Sequence, residues 1–421
     1  MKQVEPRSAI DATVRIPGSK SVTHRALIAA ALAEGESLLR ELLACEDTLY
    51  TINALQQLGV QISIDGENAN VSGTGGKFRP AGDMKDIYLG NSGTSYRLLL
   101  STVALANGDY ILTCTSRMQD RPVGELVKAL KELGVEASCI TRDEFPPVFL
   151  RARGIPGGKV EIEGNKSSQY VSSLLLAGPY AEKDIEIVIT DRLVSQPYVE
   201  VTIEVMKMFG VEVDRDGDRY FKIPSGQRYE ACQFTVEGDV SSASYFWAAA
   251  AVTGGSIATE NIHPHVTRQG DIAFLDLLEE MGCGVERGTD KVVVNGGALS
   301  GIVVDMGTMP DMVPTLAAIA LFAKGKTAIR NVPHLRHKES DRLRSIALEW
   351  GRLGGQIEEL PDGLIVHGGS SLSGRIVDPH DDHRMAMSLA VVGLRVPGIK
   401  VREERCVEKS FPQFWELWGK I

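Results

Sequence analysis

The chain has 421 residues, 43% of them hydrophobic and 24% charged, with a formal net charge of −10. That length exceeds what one hydrophobic core usually serves and predicts two domains, and the composition excludes disorder. The acidic balance excludes a nucleic-acid binder working through a basic face, so any anionic substrate has to be gathered by a local cationic cluster.

Met1 to Pro6 holds no apolar core of a signal peptide, and no apolar run is long enough to span a bilayer. Cys45, Cys114, Cys139, Cys232, Cys283 and Cys406 form no CxxC pair and read as reduced cytosolic thiols, with no zinc site. The first element with chemistry is "PGSKSVTHRAL", residues 17–27. Its Gly-Ser-Lys-Ser resembles the tail of a phosphate loop, but aligning Lys20-Ser21 with a Walker A motif puts Ser19 and Val14 where both glycines belong. What remains is a strand, a Pro-Gly turn and a helix start carrying Lys20, Ser21 and Arg25. Anion binding and a capped helix with solvated charges fit it equally.

That helix is the first of six. "SVTHRALIAAALAEG" is followed by "SGTSYRLLLSTVALANG", "SSQYVSSLLLAGPYAEK", "SSASYFWAAAAVTGG", "PDMVPTLAAIALFAKG" and "DHRMAMSLAVVGLRVPG". Their markers Ser21, Ser92, Ser168, Ser242, Asp311 and His383 are spaced by 71, 76, 74, 69 and 72 residues. Each starts on small or polar residues that can cap a helix and stops near glycine. A second, amphipathic helix follows in each unit and usually ends at a glycine (Gly59, Gly134, Gly210, Gly282, Gly354) before a β-branched strand. The period is longer than that of solenoid repeats, so the units are small α/β modules, three to a domain. Helix N-termini carry partial positive charge and free N–H groups, so converging starts form an anion site.

The remaining motifs occupy corresponding places. "LGNSGTSYR" holds Asn91 and Gly93 in a tight turn, and "GNKSSQY" puts Ser167, Ser168 and Gln169 at a helix start. "HKESDRL" holds Lys338, Glu339 and Arg342; "MPDMVP" holds Asp311. "DPHDDHRMAM" suggests a metal through His380, Asp381, Asp382 and His383, but the crowded spacing and the adjacent Arg384 argue against a cation. Each alone has a bland reading, as a cap, a turn or a solvated charge run.

In order, "PGSKSVTHRAL", "LGNSGTSYR", "DRPVGELVKAL", "GNKSSQY", "LVSQPYVEVT", "GDVSSASYF", "PDMVPTLA", "HKESDRL", "DDHRMAM" and "EKSFPQF" make the whole chain resemble the EPSP synthase family of enolpyruvyl transferases. The resemblance implies an α/β (α+β) fold of two similar globular domains, each of three pseudosymmetric βαβαβ-type units, joined by a double-crossover hinge. Residues 1–19 plus 238–421 would form one domain and 20–237 the other. It implies transfer of the enolpyruvyl group of phosphoenolpyruvate to the 5-hydroxyl of shikimate 3-phosphate, with release of phosphate and closure of the domains, on the route to chorismate and the aromatic amino acids. A cytoplasmic monomer without metal, cofactor, nucleic-acid or membrane partner is expected.

Carried over by position, Lys20, Ser21, Arg25, Ser167, Ser168, Gln169, Ser195, Tyr198, Asp311 and Lys338 would hold shikimate 3-phosphate. Lys20, Asn91, Gly93, Arg121, Gln169, Arg342, Arg384 and Lys409 would hold phosphoenolpyruvate. Asp311 would take the hydroxyl proton, and Glu339, Lys20 and His383 would handle the proton on carbon. Two departures stand out: His334 where many members have Asn, and Leu98 where several have Pro, a place that bears on sensitivity to the family inhibitor glyphosate. Two rival readings are the paralogous transferases that use UDP-N-acetylglucosamine and a non-catalytic binder on the same scaffold. The paralogues carry a Cys five residues before their Arg-Pro pair; here Ser116 stands five before Arg121.

Overall fold

Six apolar segments become helices in the computed structural model, which describes residues 1–79 and 84–421. They are Lys20–Leu32, Gly93–Ala104, Gln169–Ala177, Val240–Thr253, Val313–Ala320 and His383–Gly393. Every residue from Val22 to Leu32 is buried, as is every residue from Val240 to Val252. A helix that is apolar on all sides belongs at the centre of its domain, not on its surface. The second helices are amphipathic instead. Gly124–Glu132 buries Leu126, Val127, Ala129 and Leu130 and leaves Lys128, Lys131 and Glu132 to solvent.

The chain divides into two compact units, Met1–Pro17 with Glu237–Ile421, and Gly18–Val236. Within each unit the three apolar helices pack on one another, and each unit has its own hydrophobic core. Small sheets surround them with a repeated order. In one, Met84–Tyr88 runs parallel to Asn107–Thr113, which pairs antiparallel with Val148–Arg153, and Glu136–Cys139 closes the edge. The unit is therefore βαβαββ: the last strand read from the sequence doubles into a hairpin. The final repeat lacks the hairpin, and the N-terminal Lys2–Gln3 takes the antiparallel place beside Lys400–Val401.

The strand ahead of the first helix is exchanged. Asp11–Arg15 pairs parallel with Ser256–Glu260 in the terminal unit. The vacated place beside Glu34–Arg40 is filled by Gln233–Thr235, from the far end of the middle unit. Each exchange forces a sharp turn at a glycine. A Cβ on Gly18 would lie 1.9 Å from the carbonyl oxygen of Glu41, and one on Gly238 would lie 2.1 Å from that of Asn261. Glu41 and Asn261 themselves hold positive φ angles of 54° and 64°, so the two turns are copies of one device. No described helix is long and apolar enough to cross a membrane, and all six cysteines are free thiols.

Candidate active site

In the middle unit the three helix starts share a polar floor. Lys20 lies with Nζ 2.9 Å from Asp47 Oδ2, and Asp47 is 2% exposed. The Asp47 carbonyl accepts from Ser95 Oγ, which lies 2.7 Å from Ser92 Oγ, tying the first helix pair to the second repeat. Gln169, first residue of its helix, donates from Nε2 to Thr94 Oγ1 at 3.0 Å. Its Oε1 accepts from Arg97 at 3.0 Å, and Arg97 also donates to Ser167 Oγ and to the Pro122 carbonyl. Ser167 Oγ accepts from the Gln169 amide, and Ser168 is the N-cap residue of the helix. The starts at residues 20, 93 and 169 are thus brought together.

Gly93 makes room for Arg121. A Cβ there would meet the Arg121 guanidinium at 2.5 Å, and Arg121 donates to the Asn91 carbonyl at 3.4 Å. Arg121 is 4% exposed. Arg25 lies deeper than its place one turn beyond Ser21 suggests. It is 1% exposed, and its guanidinium donates to Thr202 Oγ1, Ser172 Oγ, and the Ser21 and Tyr198 carbonyls. Burial lowers its pKa to about 10 against the raising influence of Tyr198. Arg25 therefore braces the Ser21 and Tyr198 backbone from below. Ser195 is buried with φ of +52°, in the turn that leads into helix Pro197–Met208, and its carbonyl accepts from the Tyr198 amide.

The terminal unit holds the denser cluster. Asp311 Oδ1 lies 2.8 Å from Arg342 Nη1 and 3.6 Å from Lys338 Nζ, and its Oδ2 lies 2.8 Å from Arg384 Nη2. Burial would raise the Asp311 pKa, but Arg384, Lys338 and Arg342 outweigh it and hold the carboxyl well below the usual range. Arg342, 1% exposed, also donates from Nη2 to Glu339 at 2.9 Å and from Nε to Asp382 at 2.8 Å. Three carboxylates on one planar fork more than offset its desolvation and push its pKa up. Asp382 caps helix His383–Gly393 by accepting from the Arg384 amide, and Ser340 Oγ donates to it. His383 stands 3.9 Å from Asp382, and the buried Lys409 ends a turn packed on the same helix.

His334 is buried, and among the described residues neither ring nitrogen has a hydrogen-bond partner. Burial first, then the charge of Lys338, pushes its pKa down to about 3, so it is a neutral imidazole beside Asp311 and Arg342. The "DPHDDHR" stretch turns to neighbouring side chains: Asp382 pairs with Arg342, and His380 Nε2 lies 3.4 Å from Glu349. Among the described residues no three His, Cys, Asp or Glu side chains group as a metal site.

A family model for EPSP synthase (3-phosphoshikimate 1-carboxyvinyltransferase) matches residues 4–418. The chain belongs to the EPSP synthase family. Relatives named 3-phosphoshikimate 1-carboxyvinyltransferase include one from Syntrophobacter fumaroxidans, 44% identical over 100% of this chain and 99% of its own. Another, from Methanoculleus marisnigri, is 45% identical over 99% of both chains. The solved EPSP synthase from Acinetobacter baumannii superposes with a TM-score of 0.82 at 28% identity, covering 99% of this chain and 97% of that one. The enolpyruvyl transferase NikO from Streptomyces tendae, 20% identical, has the same fold at a TM-score of 0.80, with 99% and 96% covered.

Within this EPSP synthase scaffold, three residues of the clusters were not singled out as site residues from the sequence. Arg97 follows Gly93 by one helical turn, so the helical period alone could have placed it on the face of the helix start. Asp47 reads in sequence as an ordinary first-turn acid, and nothing local announces Lys20 as its partner. Asp382 stood out in sequence only as part of a stretch that suggests a metal and argues against one, and only the fold reveals that Arg342 faces it.

Proposed function

We propose that the two clusters hold the two substrates of the family reaction, in which the enolpyruvyl group of phosphoenolpyruvate passes to the 5-hydroxyl of shikimate 3-phosphate. Ser21, Ser167, Ser168, Gln169, Ser195, Tyr198 and Lys338 take shikimate 3-phosphate, with Arg25 bracing the Ser21 and Tyr198 carbonyls. Lys20, Asn91, Arg121, Arg342, Arg384 and Lys409 take phosphoenolpyruvate. Both molecules are multiply anionic, which suits Arg forks, Lys point charges and helix starts. The observation that carries the reading is Asp311 gripped by Arg342, Arg384 and Lys338.

In that grip Asp311 is a weak base. An anionic substrate draws the arginines to itself, the opposing charge on Asp311 falls, and its basicity rises where a hydroxyl proton has to be removed. The 5-oxygen then bonds to C2 of phosphoenolpyruvate. The hydroxyl proton goes to Asp311, and a second proton is delivered to the methylene carbon, making a methyl group. Elimination breaks the bond from C2 to the phosphate oxygen and removes one methyl proton. Glu339, Lys20 and His383 are the groups we assign to that carbon proton. The free thiols suit a cytoplasmic enzyme.

Addition followed by elimination leaves a label. Run in deuterium oxide, the reaction is expected to place deuterium in the vinyl methylene of the product, read by proton NMR. Product with no deuterium there would rule out the methyl intermediate. Gly93→Ala is expected to push the Arg121 guanidinium aside, raising KM for phosphoenolpyruvate about tenfold, the worth of one charge-assisted hydrogen bond. Steady-state kinetics with each substrate varied in turn check it, and KM for shikimate 3-phosphate is expected to stay within about twofold.

A further inference from the structure

In two repeats the start of the second helix lies against the start of the first. In the first repeat this puts Asp47 on Lys20. In the fourth it puts Asp271, in the turn Gly270–Ala273, on Ser241, the second residue of helix Val240–Thr253. Asp271 is 3% exposed, its Oδ2 accepts from Ser241 Oγ, and its Oδ1 has no hydrogen-bond partner among the described residues. Ser241 Oγ in turn lies 3.4 Å from Arg384 Nη2, the same nitrogen that reaches Asp311 at 2.8 Å. None of the proposed chemistry uses Asp271.

We infer that Asp271 is a positioning residue for phosphoenolpyruvate binding, acting through the Ser241 hydroxyl on the Arg384 guanidinium. The inference rests on the assignment of Arg384 to phosphoenolpyruvate. A carboxylate only accepts, so ionised Asp271 fixes the Ser241 hydrogen toward itself and leaves an oxygen lone pair for Arg384. A neutral carboxyl donates as well as accepts, so the hydroxyl loses its fixed direction and Arg384 loses a partner. The relay is thus sensitive to pH. Burial, reinforced by Asp311, pushes Asp271 up to about 6, with Arg384 and Ser241 opposing and Asp239 adding to the rise. The helix that continues from the turn directs its Asp276 and Glu279 outward to Arg287.

The test compares KM for phosphoenolpyruvate in wild type, Asp271→Asn, Asp271→Ala and Arg384→Lys between pH 5.5 and 7.5. The substrate phosphate ionises in the same range, near pH ~6, but does so identically for every protein. For Asp271→Asn the KM ratio to wild type is expected to be about tenfold at pH 7.5 and to fall toward unity at pH 5.5, where most of the wild type is itself uncharged at Asp271. Asp271→Ala is expected to keep a raised KM throughout. The thermal midpoint of Asp271→Asn is expected at or above wild type at pH 7.5, because an acid with a raised folded pKa costs stability progressively as pH rises above its unfolded value, and in full above the folded one. A ratio independent of pH, or an equal rise in KM for shikimate 3-phosphate, overturns the relay while Arg384→Lys still raises KM. An unchanged KM in Arg384→Lys overturns the binding assignment, and the relay with it.

Discussion

Asp311→Asn is expected to lower turnover by about a thousandfold, within the range of roughly 10²–10⁴ for loss of a positioned base. The side chain keeps its size and can still accept from one arginine, so the fold of the cluster survives. What it loses is the capacity to take the hydroxyl proton. Affinity is expected to change far less than kcat, and for phosphoenolpyruvate it is expected to tighten slightly. The amide no longer competes with an anionic ligand for Arg342 and Arg384, which Asp311 holds at 2.8 Å each in the wild type. Rapid-quench turnover and equilibrium binding on the same preparation separate the two effects. Equal turnover in variant and wild type would remove Asp311 from the chemistry and leave it as a spacer between cations.

Arg342→Met is expected to cost about 3–5 kcal/mol of stability, the penalty for stranding buried carboxylates whose common partner is gone. Asp382 is 0% exposed and Glu339 is 7% exposed, so neither can turn to water without moving backbone. The loss depends on pH in a defined direction. In the wild type Asp311 and Asp382 have lowered folded pKa values, so their contribution is present above the ordinary carboxylate pKa and is lost as pH falls through the folded values. Without Arg342 the same groups are buried acids with less counter-charge, and protonation relieves them. The gap between wild type and variant, read by urea unfolding, is therefore expected to narrow from pH 7 toward pH 4. A gap that stays constant would mean that Arg342 acts through packing and not through charge.

The six helix starts were legible from small or polar residues ahead of apolar runs, although only Ser92, Asp239 and Asp382 cap their helices through a side-chain hydrogen bond. The small sheets were partly legible from short β-branched runs. The strand exchange was not legible in the residues themselves; only the family resemblance implied it, through a domain built of residues 1–19 and 238–421. Asp11–Arg15 precedes helix Lys20–Leu32 as every repeat's first strand precedes its helix, yet it pairs 245 positions away, Asp11 opposite Ser256. Nothing in the five residues marks which sheet they join. The site shows the same division. Residue types at helix starts announced an anion site, while the partners were fixed by tertiary packing: Asp47 on Lys20, three carboxylates on Arg342, Arg25 below the Tyr198 carbonyl.

The central claim is that these two clusters serve one transferase reaction with shikimate 3-phosphate as acceptor. Its most direct test supplies phosphoenolpyruvate with shikimate 3-phosphate, or with UDP-N-acetylglucosamine, and follows release of inorganic phosphate. Release with shikimate 3-phosphate alone is the expected result. Release only with the nucleotide sugar, or binding of shikimate 3-phosphate with no release at all, would contradict it.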